Sequence, residues 1–86
     1  MTVEIEVDRH DDHLVVRWRS GRGAGSARFD HLPGTVPEWI GSADDLLDGA
    51  TRRDEGQVLE TLTAWAADAG VVIGVWQDDA GVEILR

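Results

Sequence analysis

The chain has 86 residues, 42% of them hydrophobic with four Trp, and a formal net charge of −9. That is enough for one domain with a modest core, since a chain this size buries roughly 60–65% of its unfolded surface. It excludes disulfides, thiol catalysis and thiolate metal sites, because there is no Cys, and it argues against a nucleic-acid or anionic-membrane binder, which needs a cationic surface.

No apolar run approaches the ~20 residues of a membrane span, and the alternating charges of residues 1–20 do not form a signal peptide. A cytoplasmic location is the expectation. Lys is absent and every basic residue is Arg, a pattern of GC-rich coding. The charges are segregated. From His13 to Phe29 there are four Arg and no acid; from Asp30 to Ala50 five acids and no base; from Asp54 to Leu85 seven acids and no base. This predicts one cationic patch on an anionic surface.

In chain order, Val3, Ile5 and Val7 alternate with Thr2, Glu4 and Glu6, the pattern of a half-buried strand. Leu14, Val16 and Trp18 alternate likewise with Val15, Arg17 and Arg19. Pairing Asp8 with His13 sets Val7 opposite Leu14, Ile5 opposite Val16, and Glu4 opposite Arg17, so both faces agree on a hairpin. The loop Ser20–Gly25 reads as flexible, with Arg22 at its tip available to an acidic partner. A third strand covers Ser26–Asp30, with Ala27 and Phe29 inward. Leu32-Pro33-Gly34 then turns the chain out of the sheet.

Pro37 suits the first turn of a short helix anchored by Trp39 and Ile40. Ser42-x-x-Asp45 resembles a capping box ahead of Leu46 and Leu47, and Gly49 stops a helix of about two turns. The main helix starts best at Asp54, leaving Arg52 and Arg53 outside; Thr51 is the alternative cap. Val58, Leu62, Trp65 and Ala69 form its apolar stripe, flanked by Leu59 and Ala66. Trp65 and Trp18 are expected in the core. Gly70 provides a left-handed cap. The strand from Val71 is apolar on both faces, as in strands covered on both sides. Asp78–Gly81 is a hairpin loop, and Val82–Leu85 an edge strand. With strands from residue 2 to the terminus and no linkers, residues 1–86 read as a complete single domain. The expected fold is α+β, ordered β-β-β-α-α-β-β, with a five-stranded antiparallel or mixed sheet and helices packed on one face.

Chemistry-bearing constellations are weak. His10-Asp11-Asp12-His13 has possible metal ligands, but a solvated turn accounts for it. Gly21–Ser26 lacks the helix and the Gly-Lys-Ser/Thr ending of a phosphate loop. Asp44 and Asp48 lie one turn apart with nothing to bury them. No Ser sits in a nucleophile elbow. No cofactor or metal is expected, and no enzyme.

The sharper feature is Trp76. Placing Gln77 opposite Val82 puts Val72, Trp76 and Leu85 on one sheet face, which is an exposed apolar patch unless the segment around Trp39 and Ile40 folds over it. The leading expectation is a non-enzymatic protein-binding or accessory module, meeting a protein partner or a second copy through Trp76, Leu85 and Val72. The alternative is a small acidic inhibitor, an immunity-type protein or nucleic-acid mimic, that blocks a basic site through Asp44, Asp45 and Asp48.

Overall fold

Residues 3–86 are described by a computed structural model; Thr2, placed by the alternation on the first strand, lies outside them. The elements are β1 (Glu4–Arg9), β2 (His13–Arg19), β3 (Ala24–His31), β4 (Trp39–Ser42), α1 (Ala43–Leu46), α2 (Arg52–Ala69), β5 (Ile73–Gln77) and β6 (Gly81–Leu85). They form an α+β domain with one six-stranded mixed sheet, whose spatial order is the chain order. Among the described residues only β4 and β5 pair in parallel, and the helices make the crossover between them.

The first hairpin keeps its predicted faces in a different register. Ile5 pairs with Trp18, Val7 with Val16 and Glu6 with Arg17. The His10 N–H donates to the His13 carbonyl at 2.9 Å, so the connection is the two-residue Asp11-Asp12 rather than four residues. The slip is two residues, so every side chain keeps its side of the pleat.

The sixth strand is a correction. Trp39–Ser42 is extended and central, between β3 and β5, and not part of a helix. Two devices produce it. Pro33 and Gly34 occupy the middle of a turn in which the Thr35 N–H donates to the Leu32 carbonyl, with Gly34 at φ +78°. The chain thereby re-enters the sheet instead of leaving it. Gly41 then lets the Phe29 ring lie on the neighbouring backbone: a Cβ there would meet the ring at 2.8 Å.

Ser42 accepts from the Asp45 N–H and caps α1 as the sequence indicates, but α1 is a single turn and Asp48 lies beyond it. Its Leu46 carbonyl accepts a 2.6 Å hydrogen bond from the buried Trp18 indole. Thr51, not Asp54, caps α2, so Arg52 and Arg53 are in the first turn. Gly70 ends the helix at φ 72°.

Leu14, Val16, Trp18, Phe29, Trp39, Ile73, Val75 and Leu85 meet Val58, Leu62, Ala66 and Leu46 in the core. The buried row of α2 runs Asp54, Val58, Leu62, Ala66, one residue every four. Trp65 is therefore only partly buried against the core and Ala69 is exposed, which corrects the predicted stripe. No helix of the described residues is long and apolar enough to cross a membrane.

Candidate functional site

The outer face of the sheet, away from the helix-packed core, is divided into two unlike halves. On β1–β3 it is a ladder of charges. Arg17 donates to Glu6 at 2.9 Å and also to Asp8, Arg19 donates to Glu4 at 2.7 Å, and Arg28 to Asp30 at 2.9 Å. Glu6, and after it Asp8, raises the pKa of Arg17, and Glu4 that of Arg19. Exposed pairs of this kind add little to stability because water screens them, yet they neutralise the arginines locally. The fourth arginine, Arg22, donates at 3.0 Å to Asp54, whose other oxygen accepts from Ser20 Oγ at 2.9 Å. The predicted cationic patch is thus an internally paired surface, and the Ser20–Gly25 loop is tied to the start of α2.

On β4–β6 the outer face is apolar. Register sets Ile40, Gly74 and Ile84 in one cross-strand row and Ser42, Trp76 and Val82 in the next. The first row is partly roofed. Pro37 lies on Gly74, where a Cβ would meet the ring at 2.5 Å, and Pro37 itself is buried. The second row is left open: Trp76 is 41% and Val82 50% exposed. Val36 and Val72 are also exposed, towards the other end of the same half. The segment ahead of Trp39 therefore covers one row of this surface and stops short of the tryptophan.

The last hairpin corrects the composition of the patch. Gln77 pairs with Gly81 rather than Val82, and Ile73 with Leu85. The three-residue loop Asp78–Ala80 is a turn closed by the Ala80 N–H on the Gln77 carbonyl, followed by Gly81 in the left-handed region at φ 74°. This one-residue slip reverses the faces of β6. Leu85, assigned to the Trp76 side, is 8% exposed in the core, and Val82 takes its place beside Trp76. The signal was Gly81 itself, which as a bulge glycine belongs to the strand and not to the loop.

Of the other candidates, Val72 is exposed just before β5, its carbonyl accepting from the Glu38 and Trp39 N–H groups. Asp44, Asp45 and Asp48 are exposed, following the strand whose Ser42 pairs with Trp76. Asp44 and Asp48 line a depression of about 440 Å³ with Leu47, Glu55 and Gln77. The segments 36–50 and 71–86, which build this half of the molecule, carry seven acids against one base, Arg86. The open apolar row thus lies in acidic surroundings.

No protein-family model, curated protein or solved structure matches this chain.

At the far turn, the His10 and His13 rings stack with centroids 4.4 Å apart and planes 12° from parallel. Imidazole lone pairs lie in the ring plane, so rings stacked in this way do not aim them at a common point. His13 Nδ1 is 2.6 Å from Asp12, which His13 holds below the usual carboxylate range. Among the described residues no three His, Cys, Asp or Glu side chains are grouped to hold a metal.

Proposed function

We propose that this protein is a non-enzymatic protein-binding module whose contact surface is the outer face of β4–β6. The observation that carries the reading is the adjacent pair Trp76 and Val82, both about half exposed on a sheet face. Aromatic residues are enriched in the buried centres of protein contacts, where charged residues are depleted. Contiguous apolar surface costs about 25 cal/mol per Å² to leave in water. The acidic surroundings give the surface its rim and favour a partner with basic groups around an apolar centre.

A second reading, a small acidic inhibitor that covers a basic site, draws on Asp44 and Asp48, which line the depression at Gln77, and on the exposed Asp45. The two differ in what drives the contact. An apolar centre is nearly insensitive to salt, whereas a carboxylate-led contact weakens steeply.

The test uses the wild-type chain and Trp76→Glu as parallel baits in lysate of the native host, with circular dichroism for fold and sedimentation for self-association. The variant is expected to stay folded and to lose the partner, or the second copy, that wild type retains in high salt. Loss of fold would make Trp76 a structural residue. Undiminished capture by a folded variant, abolished by salt or by charge reversal at Asp44, Asp45 and Asp48, would replace the first reading with the second.

A further inference from the structure

The Trp76 surface runs to an open edge of the sheet, and the two edges are unlike. β1 carries Glu4, Glu6 and Asp8 on its outer face, charges that discourage another strand from pairing. β6 reads Gly-Val-Glu-Ile-Leu, with Glu83 its one charge, and among the described residues no strand pairs with its far side. Val82 and Ile84 bring the apolar outer face to that edge, while Glu83 projects exposed to the opposite side. Beyond Ile84 an apolar groove of about 220 Å³ continues between Val36, Val72 and Ala67 of α2.

We infer, resting on the proposed protein-binding role, that β6 accepts an extended strand from a cationic partner, which adds to the sheet as a seventh strand. Its backbone pairs with the free side of β6. Its apolar residues lie beside Val82 and Ile84, and its Arg or Lys residues, one position out of phase, lie beside Glu83. Charge selects this occupant over a second copy. A two-fold antiparallel pairing of β6 with itself centred on Glu83 sets Glu83 opposite Glu83, and like charges in that position are destabilising. It also apposes two chains of net charge −9 along their acidic halves.

The probe is a capped synthetic peptide, Val-Arg-Val-Arg-Val-Arg, titrated into the intact protein and followed by amide NMR shifts. Two of its derivatives are N-methylated on one or the other alternate set of residues, and a third replaces Arg by Glu. Expected are saturable shifts centred on the amides of residues 81–85 and binding at least about tenfold weaker for the Glu peptide. One N-methylated peptide should fail while the other still binds, because only alternate amides face the edge. Glu83→Arg should reverse the preference between the Arg and Glu peptides. No saturable binding at millimolar peptide, or equal binding of both N-methylated forms, overturns strand addition. If binding is indifferent to N-methylation but lost in Trp76→Glu, the Trp76 surface stands and the added strand does not. If edge binding is unchanged in Trp76→Glu, the added strand stands and the Trp76 reading fails.

Discussion

Arg22 and Asp54, 32 positions apart, form an ion pair in which the carboxylate is wholly buried while the guanidinium stays 40% exposed. The pair joins the β2–β3 loop to the first turn of α2. Asp54 sits three residues after the Thr51 cap, where its N–H donates to Thr51 Oγ1 at 3.2 Å and the helix dipole favours a negative charge. Arg22 foremost, then Ser20, holds the carboxyl below its ordinary value of 3.8 against the opposing effect of burial.

That pair predicts an acid limb. A carboxyl whose folded pKa is depressed contributes stability that is fully present above its unfolded value and is lost as pH falls through the folded one. Asp54→Asn should therefore melt below wild type at neutral pH, and the gap should hold down to about the ordinary value of 3.8. Below that it should narrow. Thermal midpoints of both proteins across an acid titration check this; a gap that stays constant to the acid end would show that the charge on Asp54 is not what stabilises.

Leu62 and Trp65 should differ in the direction opposite to their size. Leu62 is completely buried on α2, whereas Trp65 packs at the margin of the core. Leu62→Ala should cost about 2–5 kcal/mol, a large part of the ~4–13 kcal/mol available to a domain of this length. Trp65→Ala should cost less. Urea unfolding measures both, and a larger loss at Trp65 would mean that the buried row of α2 is misplaced.

Gly25 should not accept a side chain. A Cβ there would stand 2.6 Å from both the Leu46 carbonyl oxygen and Trp18 Nε1, pressed against the side of their hydrogen bond. Gly25→Ala should destabilise by ~1–3 kcal/mol, as overpacking does, and should blunt the near-ultraviolet circular dichroism of Trp18. Wild-type stability with an unchanged aromatic spectrum would contradict this packing.

Zinc or nickel should leave the thermal midpoint where it is, since a ligand bound only by the folded state raises it by mass action. The stacked His10 and His13 rings motivate the expectation. A saturable rise that vanishes in a His10→Ala, His13→Ala double variant would establish a metal site there.

What the residues made legible was parity and punctuation. Alternation placed Val16, Trp18 and Phe29 inward, and Ser42 and Gly70 marked ends correctly because a cap is a local event, whereas Gly49 lies in a turn beyond α1, which ends at Leu46. Register was harder, since it depends on where a turn's last residue stops. A two-residue error at Asp11-Asp12 left the faces intact, while a one-residue error at Gly81 moved Leu85 to the wrong side. The strand Trp39–Ser42 was hidden because four residues with no alternation, just after a proline, carry no period of their own; Phe29 and Ile73 on either side define it. Trp76 was legible as an anomaly of a strand apolar on both faces, but its neighbour Val82 was not.

A sheet whose spatial order repeats its chain order has a kinetic signature. Four of its five pairings join strands linked by short connections, and only β4 with β5 waits for the segment 43–72 to close. Closure entropy rises with the length closed, though slowly, so this one long closure carries the largest single share of the topological cost. The meander β1–β4 and the hairpin β5–β6 can each assemble from neighbours, with their docking through the parallel pair left until last. Folding should consequently be fast for a protein so rich in strand, with substitutions in α2 and at the β4–β5 seam reporting on the barrier more than those in the outer hairpin.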